Sequence, residues 1–173
     1  MTKNYYPELP VVDYHKTSIE MGVAIAALKA FDVSRQVKIA AYCIFRIESG
    51  NGKYGVNNNY IGAQADNNRW PDSLNQYIIG TAVKKENMTG KERRFLAFKD
   101  VSGSFAFLID RILSRGLYVG GHCNVIADMD INDAQDWAVA YEKSWVYGSK
   151  TAKIPDSELR NILSIYKAGE RVF

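Results

Sequence analysis

Cysteine and histidine are scarce. The 173 residues hold two of each, Cys43, Cys123, His15 and His122. Four such ligands at no zinc-type spacing argue against a metal centre, and no metal or organic cofactor is expected. One disulfide is conceivable, but a helical position for Cys43 and a loop position for Cys123 fit better with a buried thiol and a semi-exposed one. No apolar run reaches the ~18 residues needed to span a bilayer, so membrane insertion is not expected. The opening stretch MTKNYYPELPVVDYHK lacks the charged start and apolar run of a secretory signal. A net charge of only +3, with no basic–aromatic motif, gives no reason to expect a nucleic-acid partner, although it permits contact with anionic polymers. Repeats and low-complexity linkers are also missing. With 47% hydrophobic and 24% charged residues the chain is too apolar for disorder. The economical division is an extended arm over residues 1–14 and one domain over residues 15–173.

Pro7 and Pro10 keep the arm from becoming a helix. Tyr5, Tyr6 and Tyr14 supply anchors, either for docking on a larger assembly or, the favoured alternative, for strapping the arm to its own domain. Helical spacing of Ile19, Val23, Ala26, Ala27 and Ala30 predicts a first helix from near Thr17 to Phe31. Asp32 or Ser34 then caps a second, in which Val37, Ala40, Ala41, Ile44 and Ile47 recur at i, i+3, i+4, i+7 and Gly50 is the stop. Glu48 follows Ile44 by four residues and so extends the apolar stripe. A carboxyl there either has its charged form disfavoured, which suits it to giving a proton to a leaving oxygen, or, as a helix-end residue, turns outward to water.

Beyond Gly50 lies a loop with three consecutive asparagines, Asn57, Asn58 and Asn59. These either serve left-handed turn geometry or offer donors and acceptors to sugar hydroxyls and acetamido groups. Tyr60, Gln64 and Trp70 are the better cleft candidates, since aromatic faces cover the apolar side of a sugar ring. Tyr77 to Val83 and Lys91 to Phe98 read as a hairpin. A helix is expected from Ser102 or Ser104 to Arg115, another from Asn132–Asp133 to Val146 with Trp137, Tyr141 and Trp145 in the core, and a last from Asp156 to about Lys167.

The run Glu48-Ser49-Gly50-Asn51-Gly52-Lys53, followed by Asn58-Asn59-Tyr60-Ile61-Gly62-Ala63-Gln64-Ala65 and Trp70, resembles the N-acetylglucosaminidase family of bacterial autolysins and flagellar peptidoglycan hydrolases. That family reads Glu-Ser-Gly-x-Gly-x-Ser, then Asn-Asn-Leu-Phe-Gly-Ile-Lys, then Trp. The match runs from about Asp32 to Trp70, with a weaker echo from Phe95 to Val101. Lytic transglycosylases share a related Glu-Ser and glycine–glutamine arrangement, toward which Gln64 leans.

The resemblance implies a lysozyme-like α+β fold, mainly helical, with a small β-hairpin lobe. It implies cleavage of peptidoglycan glycan strands with Glu48 as general acid, and Asn59, Tyr60, Gln64 and Trp70 in substrate binding. The family's hairpin supplies a second carboxylate. Here that position falls nearest Lys84, so Glu86 is the nearest candidate and Asp66 a weaker one. Tyr147 occupies the place of a tyrosine that lines the family's catalytic pocket. The alternatives are a lytic transglycosylase or muramidase, and a structural component of a phage particle or secretion apparatus with a lysozyme-like body. Action on the cell wall without a secretory signal implies phage delivery or another export route.

Overall fold

The computed structural model describes residues 4–85 and 89–173, without the side chains of Asn4 and Asp66. The fold is mixed α+β and mainly helical, with small antiparallel sheets. No helix among the described residues is long and apolar enough to cross a membrane. The chain forms two compact units, each made of two stretches: Met1–Ala30 with Ile44–Asp110, and Phe31–Cys43 with Arg111–Phe173.

The first unit opens with the arm, which is a strap. Strand β1 (Asn4–Tyr5) pairs with β4 (Arg69–Trp70), and the Tyr6 ring stacks on Trp70 at 4.7 Å. Further along, the Thr81 N–H donates to the Pro10 carbonyl and the Val12 N–H to that of Thr81, each at 2.9 Å. Gly80 permits this approach, because a Cβ there would lie 2.7 Å from the Pro10 oxygen. Strand β2 (Lys16–Thr17) pairs with β3 (Gly55–Val56). That pairing takes the residues expected to open the first helix, so α1 spans only Met21–Lys29.

Helix α2 (Arg35–Glu48) begins where the sequence places it. The Ser34 hydroxyl accepts the Val37 N–H at 3.3 Å, satisfying one of the donors that a helix N-terminus leaves open. Its apolar stripe is buried, with Val37, Ala40, Ala41 and Ile44 at 2% exposure or less. In the first unit Phe45 meets Phe105 at 4.9 Å and Tyr60 at 5.6 Å between ring centroids. Burying each such side chain contributes about 1.5–3 kcal/mol.

Strands β5 (Ile78–Lys85) and β6 (Glu92–Phe98) form the expected hairpin, with Ala82 opposite Phe95 and Lys84 opposite Arg93. Of the turn that joins them, for which the sequence signal is Glu86–Gly90, residues 86–88 lie outside the described residues. Helix α3 (Ser102–Arg115) starts where the Asp100 carboxylate accepts the Ser102 N–H at 2.7 Å. It ends at Gly116, whose φ of +72° suits glycine.

The second unit contains a hairpin the sequence reading did not anticipate, β7 (Gly121–Cys123) with β8 (Met129–Ile131). It buries Cys123 completely, correcting the semi-exposed assignment; both cysteines are buried and neither is in a disulfide. Helix α4 (Ala134–Tyr141) is capped by Asp133, whose carboxylate accepts the Asp136 N–H at 2.9 Å. The expected single helix to Val146 widens at Glu142–Val146 into a π-helical turn. Helix α5 (Asp156–Val172) runs five residues beyond the expected end at Lys167. Trp137, fully buried, stacks on Tyr141 at 5.3 Å and meets Tyr166 at the same distance. Its indole N–H donates to the Leu117 carbonyl at 3.2 Å.

Candidate functional site

The turn after α2 is built around Ser49. This fully buried hydroxyl donates to the Phe45 carbonyl at 2.6 Å and accepts the Gly52 N–H at 2.8 Å. The backbone N–H of Tyr54 donates to the Ser49 carbonyl at 2.9 Å. Gly50, Asn51 and Gly52 all take positive φ, as a chain reversing this sharply requires. Ser49 thus occupies the inward position at the helix end. Glu48 precedes it on the rim and is exposed. This corrects the expectation of a carboxyl sunk among apolar neighbours. The helix stops too soon after Glu48 for a following turn to cover it.

Glu48 lines a cavity of about 580 Å³ within the first unit, in the size range of small-molecule sites. Tyr14, Lys16 and Thr17 contribute from the segment around β2. Lys53, Tyr54 and Gly55 come from the turn, Asn59 to Gly62 from the loop, and Lys84 and Phe95 from the hairpin. Pairing of β2 with β3 and of β5 with β6 brings these distant stretches to one place. Lys84 and Phe95 share a face of the hairpin, because Lys84 lies two residues from Ala82, the partner of Phe95.

The three asparagines are occupied by the backbone. The Asn57 amide donates to the Asp13 carbonyl at 2.8 Å and accepts the His15 N–H at 3.0 Å. The Asn58 amide donates to the carbonyls of Phe98 and Lys99. The Asn59 amide donates to the carbonyls of Ala63 and Leu96, both at 2.8 Å, and accepts the N–H groups of Ile61 and Ala63. Asn59 therefore shapes the wall but has no amide capacity left for a ligand, which corrects its substrate-binding assignment. Tyr60 does line the cavity. Its backbone N–H donates at 3.0 Å to the Ser104 hydroxyl, which in turn donates to the Asn58 carbonyl at 2.9 Å.

Trp70 does not line the cavity. It is 2% exposed, stacked on Tyr6, with its indole N–H donating to the Asn75 side chain at 2.8 Å. The arm claims the aromatic face that was expected to meet a sugar. Gln64 is half-buried and bridges backbone to backbone with Phe95, also away from the lining. Glu86, and the side chain of Asp66, lie outside the described residues. Tyr147 belongs to the second unit, where its hydroxyl donates to Glu158 at 2.9 Å. That bond to a carboxylate raises the phenol above its ordinary range.

Lys16, Lys53, Tyr54, Lys84 and Phe95 were not singled out as site residues. Lys84 alone carried a signal, as the residue standing where the family pattern places an acid. Lys53 and Tyr54 reach the cavity through the turn after α2, and Lys16 and Phe95 through the strands that carry them.

Two further groups in the second unit have altered acidity. Glu142, 5% exposed at the start of the π-helical turn, has one carboxyl oxygen without a hydrogen-bond partner. Burial, reinforced by the negative charge of Glu158, raises it above the usual carboxylate range. His122 is exposed and held by Asp130 at 3.0 Å and Asp128 at 3.1 Å. The bond to Asp130 is the largest influence raising it above its ordinary value.

Comparison with protein-family models, curated proteins and solved structures finds no match to this chain.

Proposed function

We propose that this protein cleaves the glycan strands of peptidoglycan, with Glu48 as general acid on a lysozyme-like fold. The observation that carries the reading is the position of Glu48. It stands on a helix end fixed by Ser49, at the wall of a cavity whose lining also includes the aromatic residues Tyr14, Tyr54 and Phe95 and the buried Tyr60. Aromatic faces and a proton donor are what a pyranose and its leaving oxygen require. The exposed carboxyl is covered only when a sugar binds, and covering it disfavours the charged form at the moment a proton is needed.

Glu48 is the one acidic side chain among the described residues lining the cavity. That favours a one-carboxylate route over a working acid pair. Glu48 protonates the glycosidic oxygen and the bond from the anomeric carbon to that oxygen breaks. The carbonyl oxygen of the sugar's own acetamido group bonds to the same carbon, giving a cyclic oxazolinium. Water then opens the ring, its proton returning to Glu48 and its oxygen staying on the anomeric carbon. Substrate-assisted cleavage of this kind is an accepted exception to the two-carboxylate scheme.

Digestion of purified peptidoglycan with mass analysis of the fragments tests the reading. Products carrying the mass of one added water at each cut support hydrolysis. Products lacking it, with an internal anhydro ring, assign a lytic transglycosylase. No release of fragments overturns the enzymatic reading in favour of a structural component of a phage particle or secretion apparatus.

A further inference from the structure

Three ammonium groups and one carboxylate line the cavity among the described residues: Lys16 on β2, Lys53 in the turn after α2, Lys84 on β5, and Glu48. All three lysines are exposed, and none is held in an ion pair or side-chain hydrogen bond among the described residues. The wall is thus positive by two charges with Glu48 ionised. Two arginines of the first unit are engaged, Arg94 by Glu8 and Arg69 at 4.5 Å over the Tyr5 ring. Cavity lysines arriving from three separate segments, against a single carboxylate among the described lining residues, are available to an anionic ligand.

A neutral polysaccharide offers these groups only the uncharged oxygens of its hydroxyl and acetamido groups. Closing over the cavity, it replaces the water around three ammonium groups without neutralising their charge. A sugar that carries an acid gives them charge-assisted hydrogen bonds instead. We infer that Lys16, Lys53 and Lys84 form a carboxylate-binding subsite that selects acid-bearing glycans over uncharged ones of the chitin type. The inference rests on the glycan reading above and refines it. Phe95 shares the hairpin face with Lys84, so a ring lying against the aromatic presents its acidic substituent beside the ammonium. The hairpin position that the family resemblance assigns to a catalytic acid here carries a specificity determinant of opposite charge.

Titration of the full chain, followed by amide NMR shifts, tests this with three ligands. They are N-acetylglucosaminyl-N-acetylmuramic acid, the same disaccharide with its lactyl acid converted to a primary amide, and diacetylchitobiose. The acid form should bind about 10-fold more tightly than the other two, a gap worth about 1.4 kcal/mol. The preference should shrink as salt is added. Lys84→Met and Lys16→Met should each remove several-fold of the preference by weakening binding of the acid form more than that of chitobiose, and preserve the melting temperature. If a disaccharide whose lactyl amide bears a stem peptide regains the preference, the subsite stands and a peptide carboxylate also serves it. Equal binding of all three ligands, with shifts at cavity residues, overturns the subsite and leaves the glycan reading in place. No binding by any of them overturns both.

Discussion

The Ser49 hydroxyl accepts the Gly52 N–H at 2.8 Å, and this bond closes the turn directly after the residue proposed as the acid. Both Ser49 and Gly52 are buried, so neither group has water as a ready substitute. Ser49→Ala should lower stability by about 1–3 kcal/mol, the cost of a buried donor left unpaired. Glycan cleavage should slow as Glu48 loses its fixed position. Denaturant unfolding beside a cleavage assay measures both, and unchanged values in each would show that the turn holds itself without the hydroxyl.

Glu48→Gln should abolish glycan cleavage with little change in melting, since the amide is nearly isosteric and Glu48 is exposed. Loss of general acid catalysis costs about 10²–10⁴-fold. A variant keeping more than a tenth of wild-type activity would remove Glu48 from that role.

On the one-carboxylate route Glu86 is dispensable. Glu86→Gln should leave the rate within about twofold, and a change in stability of no more than about 0.5 kcal/mol would mark it as a solvated charge. A loss approaching that of Glu48→Gln would make Glu86 the second carboxylate and replace substrate assistance with a carboxylate pair.

Burial raises the Glu142 carboxyl above its ordinary range, so in the folded state it holds its proton to higher pH than in the unfolded chain. In the interval between the ordinary and the raised value the folded state binds more protons, and stability falls as pH rises. Glu142→Gln keeps a neutral side chain in place. The variant should therefore lose less stability than wild type between pH 4 and pH 8, in thermal melts across that interval (an interval set by about 4.3 for an unperturbed Glu). Parallel curves would mean that the carboxyl is ionised in the folded protein.

His122 has the same pH sense, but through a favourable contact of its charged form rather than through burial. Its raised value means that the interaction with Asp130 and Asp128 is complete below about 6.5, the ordinary histidine value, and is lost as pH rises through the raised one. NMR titration of the imidazole should show the elevation, and Asp130→Asn should reduce it more than Asp128→Asn. Equal reductions would contradict the ranking of the two aspartates.

The sequence alone determined most of the local architecture. A 3.6-residue spacing with Ser34 before it and Gly50 after it specifies α2. Asp133 specifies the start of α4, and two runs of strand-forming residues either side of a turn signal specify the β5–β6 hairpin. Glycine and asparagine marked where the backbone takes positive φ. Glu48 was legible as a candidate because its neighbours in sequence, Ser49 to Gly52, are also its neighbours in space.

Tertiary structure decided what each side chain is used for. Trp70 reads equally as a sugar platform or a core residue until the arm returns to stack Tyr6 on it. Asn59 reads as a ligand donor until β6 brings the Leu96 carbonyl within 2.8 Å. Glu48 satisfies the pattern of the buried stripe, yet the helix ends before anything covers it. Lys16 and Lys84 are ordinary surface lysines in sequence, and only the pairing of β2 with β3 and β5 with β6 makes them walls of one cavity. Local spacing fixes dihedral preference and the face of an element. Which groups meet across forty or more residues is set by strand register and packing, in which every segment of the first unit takes part at once.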